Sequence, residues 1–209
     1  MHYLSTRNNQ LKESFLNILF RGLSKDGGLF LPSEWPTISL EKLRGKSYQE
    51  VAHSIIYPYI QDDISDSDLQ LIINTAYENF DHKKIAPLVN IDQNKYILEL
   101  FYGPTFAFKD YALQFLGNLF SYLLKDKKKK ITVLGATSGD TGSAAINAFK
   151  GKEDIDVFIL HPHNKVSEVQ RRQMTTVTEN NIHNFAIQGT FDDCQRIVKE
   201  LFVDEEIQS

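Results

Sequence analysis

From Tyr96 onward, short β-branched or aromatic runs alternate with amphipathic stretches, and this alternation restricts the fold more than any other feature. Tyr96 to Leu100 reads as a strand. Asp110 to Leu124 reads as a helix with Ala112, Phe115, Leu116, Leu119 and Leu123 on one face. Ile131 to Gly135 is a second strand, followed by a glycine-rich turn and a helix from Thr141 to Phe149. Val157 to Leu160 and Ile182 to Ile187 read as further strands, each followed by a helix (Val166 to Met174, then Phe191 to Leu201). Strands alternating with helices imply an α/β fold, a mostly parallel sheet covered by helices. In such sheets ligands sit at the carboxyl ends of the strands, where loops enter helix N-termini.

The first ~85 residues follow another pattern, with boundaries good to a few residues. Leu11 to Leu23 places Phe15, Leu16, Leu19 and Phe20 at helical spacing, and Gly22 with Lys25-Asp26-Gly27-Gly28 ends it in a tight turn. Leu29 to Pro32 is a short extended segment. Helical patterns follow at Tyr48 to Tyr59 and Ser67 to Asn79, the second capped by Asp66 or Ser67. Residues 1–85 therefore read as a small, mainly helical N-terminal domain and residues 86–209 as the α/β domain.

With 23 basic and 27 acidic residues the net charge is -4, so the chain lacks the basic excess of a nucleic-acid binder. The single cysteine, Cys194, cannot form an internal disulfide, which fits a reducing cytoplasm, and its expected role is that of a small buried hydrophobe. No targeting signal and no membrane-spanning apolar run is evident. The lysine-rich run from Lys125 to Lys130 reads as a solvated connection.

Two segments carry chemistry. In Gly103-Pro104-Thr105-Phe106-Ala107-Phe108-Lys109-Asp110 a strand ends, Gly-Pro turns the chain, and a helix begins, so Lys109 stands at a strand-to-helix junction flanked by Phe106, Phe108 and Tyr111. Aromatic surroundings favour the neutral amine, the form that attacks an aldehyde. The competing reading is a surface lysine that lays its stem on aromatic rings and pairs with Asp110, and the residue types alone favour it. The second segment, Gly135-Ala136-Thr137-Ser138-Gly139-Asp140-Thr141-Gly142-Ser143, follows a strand and opens a helix, the context of an anion-binding turn. Helix-start amides with the Thr137, Ser138, Thr141 and Ser143 hydroxyls would grip a carboxylate or phosphate. Neither the nucleotide P-loop spacing nor G-x-G-x-x-G is present. The plain alternative is a helix cap in which Asp140 or Thr141 satisfies the first-turn amides. A nucleophilic amine beside a carboxylate cradle is what an amino-acid enzyme using pyridoxal 5'-phosphate (PLP) requires.

The runs Gly-Pro-Thr-Phe-Ala-Phe-Lys-Asp and Gly-Ala-Thr-Ser-Gly-Asp-Thr-Gly-Ser-Ala-Ala, with Thr-Phe-Asp-Asp-Cys-Gln at 190–195, resemble the threonine synthase family. So do Tyr3-Leu4-Ser5-Thr6-Arg7 and Asp26-Gly27-Gly28-Leu29-Phe30-Leu31-Pro32, which separate that family from dehydratases of the same fold. The resemblance implies part of a PLP-dependent fold type II domain after residue 85. It makes Lys109 the Schiff-base lysine, and Thr137, Ser138, Gly139, Asp140, Thr141 and Gly142 the loop that closes on the substrate carboxylate. Asp140 could instead touch the cofactor, and Lys165, Ser167 and Gln170 match a segment near the substrate. The implied reaction converts O-phospho-L-homoserine and water to L-threonine and phosphate. The implied partner is that small molecule, with no nucleic acid, no membrane and no particular oligomeric state.

Relatives hold the PLP phosphate in a glycine-rich loop further along, and no glycine follows Gly189 here. The chain also ends just past a helix, at Glu205-Glu206-Ile207-Gln208-Ser209, so the expectation is a truncated piece of the family's chain. Three other readings stay open: a PLP dehydratase or phospho-lyase making a 2-oxo acid, a catalytically incomplete fragment, and a metal site at His161-Pro162-His163. The last lacks a completing ligand set, and those histidines read as plain surface. Thr190 to Asp193 reads as a capping-box variant.

Overall fold

A computed structural model describes residues 1–125 and 129–204, so the middle of the lysine-rich run and the five terminal residues lie outside the described residues. The chain forms two compact units, Met1–Thr75 and Ala76–Ser209. The division drawn from the sequence pattern, after residue 85, stands ten residues further along.

The first unit holds three short strands, β1 (Tyr3–Ser5), β2 (Lys12–Glu13) and β3 (Phe30–Pro32), paired antiparallel in the order β2-β1-β3. The helix expected from Leu11 begins later, as α1 (Phe15–Arg21): Lys12–Glu13 pairs with β1, and the Ser14 side chain caps the helix by accepting from Asn17 N–H. The Asp-Gly-Gly turn is tied by one carboxylate. Asp26 accepts from Ser5 Oγ at 2.8 Å and from Gly28 N–H at 2.9 Å, and a Cβ on Gly28 would collide with Ser5 Oγ. After α2 (Leu40–Leu43) come α3 (Tyr48–Ile60), opened by a Ser47/Glu50 capping box, and α4 (Asp66–Tyr77). The cap of α4 is Ser65, whose Oγ accepts from Asp68 N–H at 3.2 Å, rather than Asp66 or Ser67. Leu69, Ile72, Ile73, Ala76 and Tyr77 are its buried residues.

The second unit opens with a hairpin, β4 (Leu88–Asp92) and β5 (Lys95–Leu98), and this corrects the sequence reading. The strand expected at 96–100 exists, but it pairs antiparallel with β4 and stands apart from the parallel sheet. Helix α5 (Asp110–Leu124) then leads to β6 (Ile131–Ala136), α6 (Asp140–Phe149), β7 (Ile155–Pro162), α7 (Glu168–Thr175), β8 (Ile182–Ile187) and α8 (Phe191–Val203). Strands β6, β7 and β8 form a three-stranded parallel sheet in chain order, the α/β architecture that the alternation implied. Ile155, Val157 and Ile159 are buried within β7, its middle strand, and Ile146, Phe149, Met174 and Cys194 are buried on the helices.

Helices α5 and α6 meet at a small-residue contact: a Cβ on Gly117 would stand 2.5 Å from the Ala148 carbonyl oxygen. Beside it, Gln114 Nε2 donates to Asn147 Oδ1 at 2.9 Å. This crossing fixes α5 against α6, the two helices whose N-termini carry Lys109 and the 137–142 loop. No helix among the described residues is long and apolar enough to cross a membrane. Because the obstruction at 117 is backbone, Gly117→Val should destabilise the unit by about 2–3 kcal/mol, measured by urea denaturation.

Candidate active site

Lys109 stands where the loop after β5 enters α5, and its carbonyl accepts from Leu113 N–H at 3.0 Å as the helix begins. The preceding turn is built around Asp110, whose side chain is wholly buried. Its carboxylate accepts from the Thr105 N–H at 2.8 Å and from the Thr105 hydroxyl at 2.7 Å. A Cβ on Gly103 would stand 2.5 Å from Asp110 Oδ2, so glycine is what leaves room for that carboxylate. Burial pushes the Asp110 carboxyl above its ordinary pKa, and the two bonds from Thr105 pull against that rise.

Asp110 thus gives both oxygens to Thr105 rather than pairing with Lys109 as a surface reading would have it. Lys109 is half-buried, with Nζ 4.1 Å from the centroid of the Phe108 ring. The flanking by three rings expected from sequence needs correction. Tyr111 turns away, donating its hydroxyl to the Ile85 carbonyl at 2.7 Å and packing edge-on against Phe80. Phe106 is 69% exposed and holds a left-handed backbone, φ 64°.

The 137–142 loop divides into a buried half and an exposed half. Thr137 is buried, and its Oγ1 accepts from Gly139 N–H at 2.9 Å and Gly142 N–H at 2.8 Å. Thr137, not Asp140 or Thr141, therefore satisfies loop and first-turn amides. Its hydroxyl builds the loop from within and does not face a ligand, as the carboxylate-gripping role had expected. Gly142 is buried too, since a Cβ there would meet Thr137 Cγ2 at 2.5 Å and Met174 Sδ at 2.7 Å. Buried Ser143 donates to the Gly139 carbonyl at 3.0 Å. Ser138, Asp140 and Thr141 are exposed, and the amides of Asp140 and Thr141 stand in the first helical turn, where no helical carbonyl is in reach. These three residues form the part of the motif that can meet an anion.

The two segments share one cleft. Leu100, Phe106, Phe108, Asp140, Ser143 and Gln170 are among the residues lining a space of about 500 Å³, together with Thr105 and Gln173. Helix α7 closes its side. Ser167 caps that helix and donates from Oγ to Gln170 Oε1 at 2.8 Å, and Gln170 Nε2 in turn donates to Asp140 Oδ1. Lys109 itself, Ser138 and Thr141 are not among its lining residues, and Lys165, which the resemblance placed near the substrate, is exposed and also outside the lining. Gln173 was not singled out from sequence; its Nε2 donates to the Thr105 carbonyl at 3.1 Å. The signal for it was the spacing of Gln170 and Gln173, three apart on one helical face.

Among the described residues no group of three or more His, Cys, Asp or Glu side chains could hold a metal ion. His161 is not surface, as its sequence reading had it: it closes β7 with 4% exposure, and burial lowers its pKa. Only His163 of that pair is exposed.

Thr137→Val should cost about 2–3 kcal/mol, because two buried amides lose their acceptor, and Thr137→Ser should recover most of it, both read by urea denaturation. Asp110 gives a pH test. Its folded-state pKa is raised, so its contribution to stability is full in acid and is lost as pH rises through that value. The unfolding free energy of the wild type minus that of Asp110→Asn should therefore fall as pH rises from acid towards neutrality.

Comparison with known proteins points to one family. A family model described as threonine synthase N terminus matches residues 2–77. The threonine synthase of Pseudomonas aeruginosa is 47% identical over 208 residues, covering 98% of this chain and 44% of that protein. That of Saccharomyces cerevisiae is 46% identical, covering 99% and 44%. The crystal structure of a PLP-bound threonine synthase from Brucella melitensis superposes with a TM-score of 0.91 at 46% identity, over 99% of this chain and 45% of that one. The Escherichia coli threonine synthase structure gives 0.86 at 34% identity, over 100% and 47%. The chain therefore spans a little under half the length of the relatives it matches. In sequence and in fold, it corresponds to the N-terminal portion of the threonine synthases.

Proposed function

We propose that this chain supplies the lysine and the carboxylate cradle of a PLP-dependent lyase, a threonine synthase converting O-phospho-L-homoserine and water to L-threonine and phosphate. One observation carries the reading: the loop running into Lys109, through Thr105 to Phe108, and Asp140 of the 137–142 loop line a single cleft. The residues suit one end of PLP. A half-buried primary amine over an aromatic ring would bind the aldehyde carbon covalently, and Phe106 and Phe108 give apolar wall to a flat ring. The cofactor's phosphate has no evident cradle in this sequence, where no glycine follows Gly189. We assign that grip to length which the relatives possess in addition.

When bound, PLP supplies an electron sink for the pair left when a proton leaves the substrate's α-carbon. The rest falls to the polypeptide. The first-turn amides of Asp140 and Thr141, with the Ser138 and Thr141 hydroxyls, bind and orient the substrate's α-carboxylate. The Lys109 amine, when not joined to the cofactor, would be the group placed to carry the proton at that α-carbon. Asp140, held by Gln170, fixes the loop's edge against the cleft. The lone buried cysteine suits a reducing cytoplasm as the setting.

Borohydride reduction in the presence of PLP should label the peptide containing Lys109, and Lys109→Ala should lose that label. Indifferent labelling of exposed lysines, with no preference for position 109, would remove the assignment. In a protein of the relatives' full length, O-phospho-L-homoserine should yield threonine and phosphate in equal amounts, with Lys109→Ala at least ~10²-fold slower. Formation of 2-oxobutyrate without threonine would move the chain to the dehydratases and phospho-lyases.

A further inference from the structure

We infer that Gln173 is a positioning residue, holding the loop that runs into Lys109 against α7 so that the amine keeps a fixed place at the start of α5. The inference rests on the proposed role of Lys109. Helix α7 touches both loops from one face: Gln170 reaches Asp140, and Gln173, three residues on, reaches the Thr105 carbonyl at 3.1 Å. Every polar group of Thr105 is thereby committed. Its N–H and hydroxyl go to Asp110, and its carbonyl accepts from Gln173.

The next residue shows what that last bond does. Phe106 has φ 64°, a left-handed conformation that a bulky L-residue adopts only at a cost. Turning over the peptide plane between Thr105 and Phe106 would bring φ to the negative side, but it would swing the Thr105 carbonyl away from Gln173. The N–H of the same plane donates to the Gly103 carbonyl at 3.1 Å, so two hydrogen bonds, one of them from Gln173, hold the plane against the cost of the left-handed residue, and losing either narrows that margin. With the plane held, Phe106 and Phe108 line the cleft and Lys109 follows at the start of α5. With the plane released, the segment 106–109 samples other conformations and the amine loses its fixed place. Gln173 need touch no reacting atom to do this.

The test compares Gln173→Met, which keeps length and helix propensity without a donor, with Gln173→Lys, which restores a donor. Amide hydrogen exchange over 106–109 should quicken about fivefold in the methionine variant, the factor that the loss of one hydrogen bond corresponds to. Exchange in β6–β8 should not change. Borohydride trapping with PLP should lose its preference for Lys109 over exposed Lys165 by a similar factor, and the lysine variant should recover both readouts. Unchanged exchange at 106–109 in the methionine variant would overturn the inference, as would an equal rise across β6–β8, which marks a merely structural role. If the wild type itself takes no label at Lys109, the cofactor assignment fails while the exchange comparison still decides whether Gln173 holds the loop.

Discussion

Two amide groups, those of Gly139 and Gly142, converge on one buried hydroxyl, and the rest of the site depends on that convergence. Amides at a strand-to-helix turn need partners when water is excluded. Thr137 supplies an acceptor from inside the turn, which leaves the outer surface of the same turn free of capping side chains. The amides of Asp140 and Thr141 then stand in the first helical turn on exposed residues. Had Asp140 capped the helix, its carboxylate would have occupied the position that an anionic ligand needs. Placing the cap three residues before the first helical one separates building the turn from using it.

The loop that carries Lys109 is made on the same plan. A buried side chain, Asp110, gathers the donors of Thr105, and the residues between them are pushed outwards as a short arc of alternating exposed and half-buried residues. Each loop thus closes on itself through one polar side chain beneath it, and glycines stand where that side chain comes closest: Gly103 against Asp110 and Gly142 against Thr137. Helix α7 then joins two self-closed turns that are separated by thirty-odd residues of sequence. This division of labour explains why so much of both motifs is buried and structural although the chemistry concerns a few exposed atoms.

That division also sets what the sequence could reveal. Helix α5 and strand β8 were legible to the residue, because a long amphipathic face and a run bounded by turn residues leave little choice of register. The hairpin of β4 and β5 was not. Its turn is Gln93-Asn94, without the Asn-Gly or Asp-Gly pair that announces a tight hairpin, so the strand near Tyr96 was joined to the parallel set that follows it. Periodicity states that a strand exists and is silent on its partner. The cap at Ser65 is hidden for a related reason, since Ser65, Asp66, Ser67 and Asp68 cluster there and only backbone geometry selects among them. The cap at Ser14 is hidden because helical spacing runs back to Leu11 while Lys12–Glu13 pair with β1.

At the site, the sequence located both loops but could not sort their members. Thr137, Ser138, Thr141 and Ser143 are equivalent as hydroxyl residues in a motif, and the expectation that all four would grip an anion treated them so. Their exposure separates them. Ser138 and Thr141 face outwards, while Thr137 and Ser143 spend their oxygens on backbone groups of the turn itself. The difference arises from which way the chain faces as β6 ends and α6 begins, a tertiary property set by Ile159 and Met174 packing beneath Gly142. A motif therefore identifies the turn, and packing below it decides which residues have atoms left for a ligand.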